Sequence, residues 1–143
     1  MTGGYTVLVS NYDEDEESPL QYLATASTFE FPEFTWGRDR VRAALSIACG
    51  IAETPRTEIQ VRSPEGFLVG VIVAVLEDDQ HVGPCLSAMW NYVLKEHRGP
   101  IGSLMFREFV QLARTLCVPT IAYSHRISEG VYQIKYRRIK SHG

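Results

Sequence analysis

The sequence holds no apolar run approaching the ~20 residues of a membrane-spanning helix, and no basic-then-apolar leader opens it. Neither a membrane protein nor a secreted precursor is expected, and the expected location is the cytoplasm. Cysteine is scarce: Cys49, Cys85 and Cys117 form an odd set, far apart and in apolar contexts. That pattern predicts buried, reduced thiols rather than a disulfide framework. His81, His97, His125 and His142 never pair with cysteine at zinc-ligand spacing, so no metal is expected. Positive charge is not in excess either. Lys plus Arg total 14 against 17 Asp plus Glu, a net −3 that disfavours nucleic acid and anionic membranes as partners. Internal repeats and low-complexity segments are absent.

What is present suits one globular domain. The chain has 143 residues, 45% apolar and 22% charged, enough to bury a core without staples. Thr6–Ser10 is rich in β-formers and predicts a first strand. The acidic run Asp13–Glu17 leads to Ser18-Pro19-Leu20-Gln21, which has the spacing of a capping box. Leu20, Leu23 and Ala24 then predict a short helix to about Ala26, its positive end near the acidic run. Phe29, Phe31, Phe34 and Trp36, interrupted by Pro32, form an aromatic linker whose ordinary role is core or lid packing. Val41, Ala44, Leu45 and Ala48 predict a second helix stopped at Gly50.

From Thr57 the period changes to two. Thr57–Ser63 alternates polar and apolar, as a half-buried strand does, and Pro64-Glu65-Gly66 reads as a turn. Phe67–Leu76 is nearly all apolar and predicts a strand buried on both faces, closed by Asp78 and Asp79. Cys85–Leu94 predicts another strand, and Gly102–Leu116 a helix with its stripe on Met105, Phe109, Leu112 and Leu116. Pro119–Ser124 should run parallel to Cys85–Leu94, because a helix connects them. Val131–Lys140 is the last strand. Its Lys135 and Arg137 alternate with Tyr132, Ile134 and Tyr136, which suits a charged edge strand better than a nucleic-acid surface. The predicted class is α+β, in the order β-α-α-β-β-β-α-β-β around a mixed sheet.

This order, with the segment Tyr92-Val93-Leu94-Lys95-Glu96-His97-Arg98-Gly99-Pro100-Ile101-Gly102 opening the long helix, resembles the GCN5-related N-acetyltransferase (GNAT) family. Element order matches over nearly the whole chain, motifs only over residues 67 to 124. The resemblance implies a GNAT-like mixed β-sheet flanked by helices, acetyl-CoA as cofactor and an amine as acceptor. In the family, the strand before the long helix leaves backbone groups free for the pantetheine arm, and the loop and helix N-terminus hold the pyrophosphate. By that resemblance Tyr92 and Val93 would face the pantetheine, and Arg98, Gly99, Ile101, Gly102 and Ser103 the pyrophosphate. The chemistry is reasonable, since a helix N-terminus offers unpaired N–H groups and glycines let a phosphate approach. The loop is nevertheless one residue short of the family pattern, and Pro100 removes an N–H donor.

Acetyl transfer also needs the amine deprotonated, the thioester oxygen polarised and the departing thiolate protonated. GNAT enzymes commonly take the base from an acidic residue on or beside the fourth strand, and the acid from a tyrosine on a helix after the fifth. Cys85–Leu94 carries no carboxylate, and Ser124–Gly130 is too short for the usual fourth helix. Glu77, His125 and Tyr132 are the catalytic candidates that remain. Two functions are therefore open. One is an acetyl-CoA-dependent N-acetyltransferase. The other is a non-catalytic GNAT-fold structural or assembly protein with protein partners or self-association, resembling short bacteriophage-encoded members, some of them virion components.

Overall fold

The computed structural model describes residues 3–140; His142 lies outside the described residues. Six strands form one sheet in chain order: β1 (Thr6–Tyr12), β2 (Arg56–Arg62), β3 (Leu68–Asp79), β4 (Gly83–Val93), β5 (Thr120–Ser128) and β6 (Val131–Arg138). Every neighbouring pair is antiparallel except β4 and β5, which run parallel because α3 (Pro100–Thr115) carries the chain between them. α1 (Gln21–Glu30) and α2 (Arg40–Ala52) precede β2. Among the described residues β5 passes to β6 by a hairpin turn, with no helix between them.

The sheet is covered on both faces. Ile72 and Ala74 of β3 pack with Ile101, Met105 and Phe109 of α3, whereas Val71 and Val73 pack with Leu20 just before α1, Leu23 of α1 and Ile51 of α2. Alternation along β3 therefore places α3 on one face and α1–α2 on the other. β3 is buried from Leu68 to Val75, as its apolar run predicts, while Leu76 and Phe67 are exposed. Gly70 lies under α3: an added Cβ would meet Met105 Sδ at 3.1 Å and Val93 Cγ2 at 3.3 Å. Its lack of a side chain sets how closely the helix approaches the sheet.

Several local expectations change in the fold. Ser18 does not cap α1, whose first residue is Gln21 and whose N-cap Leu20 makes no side-chain cap bond; the helix runs to Glu30. Ser18 Oγ instead donates to Glu58 Oε2 at 2.7 Å. The acidic run consequently lies outside the first helical turn. β2 is buried on both faces rather than one, because Arg56, Glu58 and Gln60 form an enclosed polar network. Arg56 Nε donates to Glu58 Oε2 at 2.6 Å, and Gln60 Nε2 donates to Glu58 Oε1 at 2.9 Å and Tyr12 Oη at 3.0 Å. Each partner satisfies another, which is the condition for burying charge. In α2 the buried positions are Ala43, Ala44 and Ile51, so Val41 and Leu45 face solvent and Gly50 lies inside the helix. Cys49 and Cys117 are exposed and only Cys85 is buried.

Candidate active site

β4 and β5 are hydrogen-bonded partners only at Leu86↔Ile121 and Ser87↔Ala122. Both strands continue, β4 against β3 as far as Val93 and β5 against β6 as far as Ser128. They part as a wedge that opens toward the C-terminal ends of both strands, leaving the β4 edge from Ala88 to Val93 without a strand neighbour on that side. A bulge accompanies the opening. The register passes from Val73↔Trp90 to Ala74↔Ala88, so Met89 is the extra residue. Its effect is visible in the packing: Leu86 and Ala88 belong to the α3 face, but beyond Met89 it is Val93 that faces α3 while Trp90 and Tyr92 face α1. A single inserted residue thus reverses which side chains line each face of the wedge.

At the far end of β4, the chain makes a short 3₁₀ turn at Lys95–His97 and enters α3 through Gly99, whose φ of 107° is open to glycine and strained for other residues. Pro100 occupies the first helical turn, and the Gly102 N–H is drawn back onto the Gly99 carbonyl at 3.2 Å. Gly102 and Ser103 are exposed, whereas the Ile101 side chain is buried in the core. Gly102 and Ser103 line one groove with Arg107, Arg114 and Arg137, and the Arg137 guanidinium lies over the Phe106 ring at 5.8 Å.

Arg98 points elsewhere. Its guanidinium forms a two-pronged ion pair with Glu30, and its Nε donates to the Val93 carbonyl at 3.1 Å. The Tyr92 hydroxyl donates to the same Glu30 carboxylate at 2.7 Å. The Arg98 hydrogen bonds hold the Glu30 carboxyl below its usual range. Burial, reinforced by Glu30, pushes the Tyr92 phenol up.

Three residues beyond Glu30, Glu33 makes a matching contact on the other arm. It accepts from Arg126 Nε at 2.6 Å and Nη2 at 3.0 Å on β5, and from the Tyr132 hydroxyl at 2.6 Å on β6. Arg126 lowers the Glu33 carboxyl to about 2, and burial together with Glu33 raises Tyr132 to about 12. Nearby, Trp36 Nε1 donates to Glu129 at 3.1 Å, and its ring covers Gly130 so closely that an added Cβ would lie 2.4 Å from it. The aromatic linker is therefore a strap across the wedge on the α1–α2 face, tied to β4 through Glu30 and to the β5–β6 hairpin through Glu33 and Trp36.

No family model and no curated protein matches the sequence. Solved structures do match. A Pyrococcus furiosus protein provisionally assigned as an acetyl transferase superposes with a TM-score of 0.67 at 16% identity, covering 86% of this chain and 83% of that one. An acetyltransferase of the GNAT family from Staphylococcus aureus Mu50 gives 0.55 at 13% identity, over 84% and 73%. Naa50 from Arabidopsis thaliana, in complex with the bisubstrate analogue CoA-Ac-MVNAL, gives 0.52 at 18% identity, over 87% and 74%. The fold is the GNAT fold.

On that fold, the wedge and the N-terminus of α3 adjoin, so Tyr92, Val93, Arg98, Gly99, Ile101, Gly102 and Ser103 do gather at one end of β4. Their side chains do not all face one cavity: Tyr92 and Arg98 turn to Glu30, Ile101 to the core, and only Gly102 and Ser103 border the groove. Of the catalytic candidates, Glu77 lies at the opposite end of the sheet, paired with Cys85 at the start of β4. Tyr132 is tied to Glu33. His125 lies on the β5 arm of the wedge, exposed and on the face shared with Ile121 and Tyr123. Sequence reasoning missed Glu30, Glu33 and Arg126; the one local sign was a pair of carboxylates three residues apart inside an otherwise aromatic linker. No helix among the described residues is long and apolar enough to cross a membrane.

Proposed function

We propose that this chain binds acetyl-CoA in the β4–β5 wedge and transfers the acetyl group to an amine. The observation that carries this reading is the early end of β4–β5 pairing at Ser87 and Ala122, which leaves backbone donors and acceptors of β4 for an extended ligand arm. The adjoining groove supports it, since Gly102 and Ser103 at the α3 N-terminus and Arg107 one turn further on, with Arg137 lining the same groove, suit a polyphosphate. In the transfer, the amine nitrogen bonds to the thioester carbon, the carbon–sulfur bond breaks, the amine loses a proton and the CoA thiolate gains one. We assign acceptance of the amine proton to His125, exposed on the β5 arm, since both carboxylates of the strap pair with arginines.

That same pairing of Glu30 and Glu33 favours a second reading. A GNAT-fold module without a free carboxylate at the wedge could bind acyl-CoA, or a protein partner, without turnover, as a structural or assembly component does.

The test is a thermal melt with and without acetyl-CoA on the wild type and on Gly102→Glu. A Cβ at Gly102 meets nothing within 4 Å, and a carboxylate in a first helical turn suits the helix dipole, so the variant should fold normally. At ~100 times the dissociation constant, the ligand stabilises the wild type by about 2.7 kcal/mol. The variant should show no such rise. No rise in the wild type at millimolar acetyl-CoA would sink both acetyl transfer and acyl-CoA binding. A rise without product formation from any amine tested would select the non-catalytic reading.

A further inference from the structure

The end of the sheet on the closed side of the wedge holds a cluster that the acyl-transfer reading does not use. Glu77 and Cys85 are directly opposed across the β3–β4 pair, and Asp79 follows Glu77 on the same face. The ligand atoms of Glu77, Asp79 and Cys85 all lie within 4.8 Å of one another. Cys85 is 1% exposed, and no hydrogen bond engages its thiol among the described residues, so a buried sulfur is aimed without a partner between two carboxylates. His81, in the hairpin turn, stays outside the cluster: its side chain is 75% exposed, and its Nδ1 lies 3.5 Å from Asp79 Oδ1 and 3.2 Å from the Tyr136 hydroxyl. Asp79 itself accepts from the His81 N–H at 2.7 Å and from the Tyr136 hydroxyl of β6 at 3.0 Å, which fixes its orientation.

We propose that this hairpin end binds a divalent transition metal of the zinc class through Cys85, Asp79 and Glu77, with solvent as the fourth ligand. The donor set chooses the ion. A thiolate beside carboxylates suits zinc or cobalt(II), whereas calcium and magnesium demand oxygen alone. A tetrahedral ion with bonds of about 2.0–2.3 Å spaces its ligands by about 3.5 Å, so the three ligand atoms, now within 4.8 Å of one another, draw together on binding. On binding, the Cys85 thiol gives its proton to solvent and its sulfur forms the bond to the metal. Cys85 lies two residues before Ser87, where the β4–β5 pairing ends, so the ion sits on the closed side of the wedge apex and serves structure. It joins the β3–β4 hairpin at the place where Tyr136 already brings in β6. The linear sequence conceals the site because its ligands follow strand spacing and a cross-strand pair, not a cysteine–histidine motif.

The test is a cobalt(II) titration of the full chain carrying Cys49→Ser and Cys117→Ser, which leaves Cys85 as the only thiol. One equivalent should produce a sulfur-to-cobalt charge-transfer band together with strong tetrahedral visible bands. Cys85→Ser should abolish the charge-transfer band. Glu77→Gln, at an exposed position that leaves the fold intact, should weaken binding by about tenfold or more. The absence of a charge-transfer band at saturating cobalt(II) overturns the proposal, as does a band that persists in Cys85→Ser. If Cys85→Ser does not fold, the exposed carboxylate decides, and unchanged affinity in Glu77→Gln overturns it.

Discussion

Replacing Glu33 with glutamine tests whether the strap is held by charge. The Glu33 side chain is 7% exposed and that of Arg126 is 28% exposed, so the pair lies between the buried and surface regimes. Glutamine keeps the shape and one acceptor oxygen, but leaves the Arg126 guanidinium without its counter-charge. Breaking a fully buried pair costs about 3–5 kcal/mol and an exposed pair about 0.2–1, which places Glu33→Gln near 2 kcal/mol. For a chain of this size that corresponds to a fall in Tm of about 4–8 °C near neutral pH. The pH dependence is the sharper part. The folded-state carboxyl is lowered from 4.5 to about 2, so its stabilisation is complete above 4.5 and disappears as pH falls through about 2. Melting curves of wild type and variant should therefore stand apart at pH 7 and converge between pH 4.5 and 2, with the wild type doing the moving. A gap that is constant across that range would mean that Glu33 acts through packing alone. No gap at pH 7 would refute the account of the strap.

Other consequences are open to the same methods. Gly130→Ala combines a left-handed backbone, φ 72°, with a Cβ 2.4 Å from the Trp36 ring, and should cost about 2–3 kcal/mol by urea denaturation. In a Trp36→Ala background only the backbone part, about 1–2 kcal/mol, should remain; equal losses in both backgrounds would contradict the packing. Gly70→Ala should overpack the β3–α3 contact by about 1–3 kcal/mol and be partly rescued by Met105→Val, whereas simple additivity of the two changes would count against it. Glu30→Gln frees Arg98 beside the α3 N-terminus and should tighten acetyl-CoA binding by up to about fivefold in calorimetry, roughly the strength of an exposed ion pair. Unchanged or weaker binding would show that Arg98 takes no part in holding phosphate.

Features that depend on neighbours along the chain are legible in its residues alone. The apolar run of β3, the period of α3 and the change from period 3.6 to period 2 near Thr57 each state a local geometry, and the element order follows from them. The parallel course of β4 and β5 was legible because a helix joins them. The strand, glycine-bearing loop and helix at residues 91 to 114 were legible as well. Which surfaces those elements use depends on how they pack in three dimensions. Glu58 and Gln60 read as a solvent face until Arg56, Ser18 and Tyr12 enclose them, and the phase of α2 is fixed by α1 rather than by its own apolar count. Arg98 and Tyr132 read as free polar groups until Glu30 and Glu33 arrive from 68 and 99 residues away in the chain. The bulge at Met89 exists only in the β3–β4 register. Periodicity records how one residue sits relative to the next few, whereas ion pairs and register are energies between segments brought together by folding, and these leave no period to read.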